Sequence, residues 1–398
     1  MRTALRSLLS VALLGLGISG SFADEGMWLL NAPPAARMKA AHGWAPDEAW
    51  LAHAQRSAVR FNTGGSGSLV SGRGLVMTNH HVGRDMLAKL STPERDFNAT
   101  GFYAPTLDQE LPCPDLELNI LWSIEDVTDR VNAGVAPGAE VAAANQQRQA
   151  TIAEICRAAG EKSGLQPEMV TLWQGGRYHL YLYKRYTDVR IVFAPEEAVA
   201  FFGGDTDNFE YPRYCLDVMF FRIYENGKPL ANDSYFTWER GSNEGDLALV
   251  VGHPGSTSRQ LTIDHLASLR DAEVPARLAR YWRSEVRSTE FVNRSKEHRR
   301  VGADDLFGVA NARKAVSGAY LGLLDPAIMG RKAADERALR EAVDGNPEWK
   351  ARFADGWDKV AAAAKARRDL LPLTQALRIR SGLLGRAVTL VQLAEERT

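Results

Sequence analysis

The chain has 398 residues, enough for two or three domains, and 45 % of them are hydrophobic, sufficient for ordinary globular cores. Its 48 Lys+Arg balance 49 Asp+Glu, so charge gives no reason to expect nucleic acid or an anionic membrane as partner. Cys113, Cys156 and Cys215 are the only cysteines and form no C-x-x-C pair. At most one internal disulfide is possible, and neither a zinc ribbon nor a thiol redox motif is indicated.

The N-terminus, "MRTALRSLLSVALLGLGISGSFADEG", begins with Arg2 and Arg6, continues as an apolar run from Leu8 to Ile18, and ends in Ser21-Phe22-Ala23. This pattern predicts a secretory signal peptide over 1–23, cleaved after Ala23. The run is too short to span a bilayer, and no later stretch reaches that length without charges. The mature protein is expected to be periplasmic or secreted, with no membrane insertion.

From about Asn62 to Thr262 strand signals dominate. "RYTDVRIVFAP" alternates Val189, Ile191 and Phe193 against Asp188, Arg190 and Val192, the period of a half-buried strand. "LDVMFFRIYENGKPL" carries Asn226-Gly227, a strong hairpin signal, and "GDLALVVGHPG" predicts a further buried strand. Residues 135–160, Ala- and Gln-rich, predict an inserted helix. Near His265 the composition turns to Ala, Leu, Arg and Glu with helical periodicity. The expected division is a β-rich domain over 24–268 and an α-helical domain over 269–398. The last stretch, "LLGRAVTLVQLAEERT", has no Gly or Pro terminator. That pattern predicts a helical domain truncated in mid-helix, with Leu383, Leu384, Val388 and Leu390 exposed.

The stretch with the most chemistry is "GLVMTNHHVG", Gly74 to Gly83. Consecutive strand side chains face opposite ways, so His80 and His81 are poorly placed to share one metal ion. With no H-E-x-x-H in the chain, neither a metal site nor a cofactor is expected. Ser66-Gly67-Ser68 followed by Thr78-Asn79-His80-His81-Val82 resembles the histidine segment of chymotrypsin-like serine peptidases. There an imidazole at a barrel edge takes a hydroxyl proton and returns it. His81 occupies that position.

Such a base needs a carboxylate to hold its tautomer. Asp115, 34 residues after His81, fits the spacing of HtrA-type periplasmic proteases; Asp217 lies 136 residues after it. Spacing alone leans to Asp115. Plainer readings also hold for some positions: Gly203-Gly204-Asp205 as a turn, His253 as a turn residue, and Arg277 to Arg300 as a solvated helix face.

A wider resemblance chooses between the aspartates. "AFFGGDTDNFEYPRYCLDVMFFRIYENGKP", with "DEGMW", "TNHHVG", "ELNILWSIEDVT", "YKRYTDVRIVFAPEE" and "GHPGSTSR" in order, resembles the bacterial dipeptidyl-peptidase 7/11 family of exported serine exopeptidases. The resemblance implies a chymotrypsin-like double β-barrel with an α-helical capping domain, oligopeptide substrates, and a homodimer in full-length form. It implies His81 as catalytic base and Asp217, nine residues after Asn208, as the triad aspartate. Asn208 and Phe209 would line the subsite for the substrate's free N-terminus. Family members usually have Trp at the position of Phe209, and Cys at that of Val82, so the usual local disulfide cannot form here. The string Gly64-Gly65-Ser66-Gly67 precedes His81 on the same strand system and is read as structural. The nucleophilic serine and the side chains that set P1 preference are expected beyond Thr398, leaving this chain by itself inactive. The alternatives are an HtrA-like endopeptidase using Asp115 and a non-catalytic peptide-binding homologue.

Overall fold

The computed structural model describes residues 26–92, 94–255, 257–258, 260–376 and 382–395. The predicted signal peptide, 1–23, lies outside these residues, as does the side chain of Leu384. The protein is β plus α, built on an antiparallel sheet.

Eleven strands occur among the described residues: β1 (Ala58–Phe61), β2 (Ser66–Leu69), β3 (Leu75–Thr78), β4 (Phe102–Tyr103), β5 (Leu111–Pro112), β6 (Leu118–Asp126), β7 (Gln166–Leu172), β8 (Arg177–Tyr186), β9 (Asp188–Ala194), β10 (Met219–Glu225) and β11 (Lys228–Pro229). The chain divides into two compact units. The first comprises residues through Thr78, Ala104–Val192 and Phe220–Gly255. Its strands run in the order β9-β10-β3-β2-β1-β6-β8-β7. Val59, Val76, Leu118, Ile191, Phe221 and Ile223 supply its buried apolar faces. In β9, Val189 and Ile191 are buried while Asp188 and Arg190 are not, as the alternation requires.

Two turns follow from residue chemistry. Asn226 (φ 53°) and Gly227 (φ 73°) form the two-residue loop between the β10 and β11 pairs Tyr224↔Pro229 and Glu225↔Lys228. Both central φ values are positive, as a type I′ turn demands. Before β3, Gly74 has φ 66°, and a Cβ there would sit 2.8 Å from the Ile223 carbonyl oxygen. Only glycine fits that approach.

The Ala- and Gln-rich segment forms a helix at Val141–Ser163. Ile155 is buried with Val127, Val131, Tyr178 and Leu180, and Ile152 and Cys156 pack against them. One expectation fails. "GDLALVVGHPG" forms no strand; Leu247 and Leu249 are 38 % and 43 % exposed and Val250 is fully exposed. Strand propensity is largely a measure of pairing and packing against neighbours, and no described strand pairs with this segment.

His253, just after that segment, donates its backbone N–H to Ser66 Oγ at 2.7 Å. Its ring Nε2 is buried without a hydrogen-bond partner among the described residues. Burial, with the Arg60 guanidinium nearby, pushes the ring pKa down to about 4. The unfolded chain therefore binds this proton more readily than the folded one, and stability falls as pH drops from about 6.5 to about 4. Replacing His253 by Asn should flatten that part of a stability-versus-pH curve in chemical denaturation. An unchanged slope would show that this ring titrates normally.

The second unit comprises Asn79–Tyr103, Phe193–Met219 and residues from Ser256 onward. There Phe102 and Tyr103 of β4 pair with Ala194 and Phe193 at the end of β9. Its helices include Val274–Val292, Lys296–Leu324, Pro326–Asp344 and Gly356–Ala376. Residue chemistry marks their ends. Ser295 Oγ accepts from the His298 N–H, and Asp325 caps Ala327 with Pro326 in the first turn. Among the described residues no helix is long and apolar enough to cross a membrane.

Candidate active site

β3 ends at Thr78, and the next helix runs His80–Leu90. The histidine pair therefore opens a helix and is not part of the strand. Successive helical positions diverge by about 100°, which separates the two rings as effectively as a strand would. His80 turns inward and is 3 % exposed. Burial is the main cause holding its ring below the ordinary histidine range, against the opposing attraction of the Asp217 carboxylate. The His81 side chain remains 62 % exposed.

The helix start explains what His81 meets. Asn79, at the N-cap, makes no side-chain cap, so the first N–H groups need another acceptor. Asp217 supplies it. Its Oδ1 accepts from the His81 N–H at 3.0 Å, while Oδ2 lies 2.7 Å from His81 Nδ1. Asn79 Nδ2 donates to the Asp217 carbonyl at 3.0 Å and reaches Oδ2 at 3.4 Å. One carboxylate thus caps the helix and grips the imidazole that the helix carries. Burial alone would raise the Asp217 carboxyl, but the hydrogen bonds from the His81 ring and N–H hold it below the usual carboxylate range. A carboxylate on Nδ1 takes that nitrogen's proton as a hydrogen bond, leaving the Nε2 lone pair for proton transfer.

The other sequence candidates fall elsewhere. Asp115 lies in the first unit, at φ 57°, its carbonyl accepting from Asn62 Nδ2; the carboxylate on His81 is that of Asp217. Ser66 is also in the first unit, where its Oγ accepts from His253 and its carbonyl accepts from the Thr78 hydroxyl at 2.8 Å. Among the described residues no serine is hydrogen-bonded to His81, and no group of three or more His, Cys, Asp or Glu could hold a metal ion.

His81 and Asp217 line a cavity of about 590 Å³ within the second unit, inside the size range of about 300–1,000 Å³ usual for ligand sites. Asn208 and Phe209 line it too. Asn208 is 5 % exposed, whereas Phe209 stands 60 % exposed at φ 64°, a conformation unfavourable for a bulky residue. Residues without a motif complete the wall. Asn311 accepts from Asn208 Nδ2 at 3.0 Å, Phe307 packs edge-on to Phe201 at 5.1 Å, and Arg84 pairs with Glu197 at 2.8 Å. Asn311 and Phe307 belong to the helix Lys296–Leu324, with Asn311 103 positions along the chain from Asn208, and nothing local in the sequence marks them.

The family model described as Peptidase S46 matches residues 23–398. "Dipeptidyl-peptidase 7" of Porphyromonas gingivalis is 31 % identical over 415 residues, covering 95 % of this chain and 56 % of that protein. "Asp/Glu-specific dipeptidyl-peptidase" of Capnocytophaga gingivalis is 32 % identical over 286 residues, 67 % of this chain and 40 % of that protein. The crystal structure of Porphyromonas endodontalis DPP11 in complex with the dipeptide Arg-Asp superposes with a TM-score of 0.71 at 25 % identity, covering 87 % of this chain and 53 % of that one. The chain spans 56 % or less of the length of these relatives.

Proposed function

The chain belongs to the Peptidase S46 family, and from that premise we propose that it carries the base, its orienter and the N-terminus subsite of a serine-type dipeptidyl-peptidase. The observation that carries the reading is the doubly bonded Asp217 on His81. His81 Nε2 removes the proton of a serine hydroxyl as that oxygen attacks the peptide carbonyl, then returns it to the leaving amine. Asp217 holds the tautomer and stabilises the imidazolium.

Asn208 and Phe209 grip the substrate's α-ammonium and first residue, so that only the second peptide bond reaches the nucleophile. With Asn208 Nδ2 engaged by Asn311, its Oδ1 is the acceptor left for an ammonium. The names of the relatives, one Asp/Glu-specific, agree with oligopeptide substrates. They do not divide the two P1 classes, because identities to the two named kinds overlap at 31–34 %. The remaining parts of the proposal are a double-barrel peptidase domain, export after cleavage near Ala23, and a homodimer in the full-length protein. Residues 24–398 by themselves are proposed to release no dipeptide.

Mass spectrometry of products from a free oligopeptide tests the reading in full-length protein. The expected products are dipeptides released stepwise from the N-terminus. Internal fragments in place of dipeptides would favour the HtrA-like endopeptidase.

A further inference from the structure

We infer that Lys314 is a positioning residue for the N-terminus subsite, acting through the turn that presents Asn208 and Phe209; this rests on the functional reading above. One torsion in the turn is costly. Gly203 and Gly204, at φ 80° and 60°, start the short helix Gly204–Asp207 in a conformation glycine adopts freely, but Phe209, just past the helix, holds φ 64°. A bulky residue keeps such a torsion only where its surroundings impose it.

The helix Lys296–Leu324 imposes it. Phe307, Asn311 and Lys314 stand at i, i+4 and i+7, one face of that helix. Each grips a different part of the turn. The Phe307 ring meets Phe201, just before Gly203, at 5.1 Å and 88°. Asn311 takes the Asn208 side-chain amide at 3.0 Å. Lys314 Nζ donates to the carbonyl oxygen of Asp205 and, at 3.3 Å, to that of Asn208, with the Asp205 carboxylate 3.5 Å away. The Asp205 carbonyl already accepts from the Asn208 N–H at 3.2 Å, and the Lys314 ammonium is a second donor to it that also reaches the Asn208 carbonyl, tying the helix end to the residue that follows it.

Asn311 fixes the Asn208 side chain, and Lys314 fixes its backbone. Without the ammonium, the Asp205 and Asn208 carbonyls lose the donor they share, and the Phe209 torsion is free to relax. The Asn208 acceptor and the Phe209 ring would then be spread over several positions. Lys314 bonds to the turn, whereas His81 and Asp217 bond to each other. The loss should therefore appear in how substrate is held, not in proton transfer.

The test uses full-length protein with Lys314→Met and Lys314→Arg, read by peptide hydrogen exchange, by calorimetric binding of a free dipeptide and its N-acetyl form, and by kinetics. Lys314→Met should speed exchange over 203–209, weaken free-dipeptide binding and raise KM by at least about tenfold, and leave kcat within about threefold. Lys314→Arg, which keeps the donor and the charge, should restore most of the affinity. Unchanged exchange and affinity would overturn the inference. So would faster exchange throughout the second unit, which would make Lys314 a general stabiliser, or faster exchange at 203–209 with undiminished affinity. Wild-type protein that neither binds nor releases free dipeptides would instead overturn the functional reading, and that result is seen before any variant is compared.

Discussion

Asp217→Asn in the full-length protein should lower kcat by roughly 10⁴, as loss of the correct histidine tautomer does in the Ser-His-Asp template. Asparagine can turn its amide toward Nδ1 and donate to it, which moves the ring proton to Nε2 and removes the lone pair that accepts the serine proton in the proposed mechanism. The Oδ1 bond to the His81 N–H can survive the change, so the helix start is kept and the loss falls on catalysis. Asp115→Asn should cost far less, because the carboxylate on His81 is that of Asp217. Steady-state kinetics of the two variants side by side decide the matter: a crippled Asp115→Asn beside an active Asp217→Asn would place the orienting carboxylate wrongly.

The second large effect concerns the substrate's amine. An acetylated N-terminus would offer a neutral, bulkier group to the proposed subsite, where the Asn208 acceptor suits an ammonium, so kcat/KM should fall by at least about 100-fold relative to the free peptide. Hydrogen bonds to charged groups contribute about 1.5–3 kcal/mol, so Asn208→Ala should cost the free peptide about tenfold to a hundredfold. The acetylated peptide should lose little more from that substitution, having no charge for Asn208 to meet. Equal kcat/KM for free and acetylated peptides would remove the exopeptidase reading. Equal losses from Asn208→Ala on both peptides would remove Asn208 from the amine site.

What the sequence made legible was local. Asn226-Gly227 determines its own turn because both residues tolerate positive φ, and Val189 and Ile191 reveal a buried face by period alone. The T-N-H-H segment marked His81 by residue type and neighbours. Its partner was not legible in that way: spacing leaned toward Asp115, and only resemblance across 200–229 pointed to Asp217. The physical reason is that Asp217 is selected by the helix start at His80, whose unmet N–H groups attract a carboxylate from far along the chain. Sequence distance does not encode that need. Asn311 and Lys314 were hidden for a related reason, since polar residues on a long helix look the same whether they face water or a strained turn. The apolar run at 247–251 misled because its composition records strand propensity and not whether a partner strand is present.

Nuclear magnetic resonance of the His81 ring, in protein with ¹⁵N-labelled imidazoles, tests the pairing most directly and needs no catalytic turnover. The account predicts that Nδ1 carries the proton bonded to Asp217, with that proton strongly deshielded and slow to exchange. The signal should vanish in Asp217→Asn and persist in Asp115→Asn. A His81 ring protonated at Nε2 in the wild type, or a signal indifferent to Asp217→Asn, would contradict it.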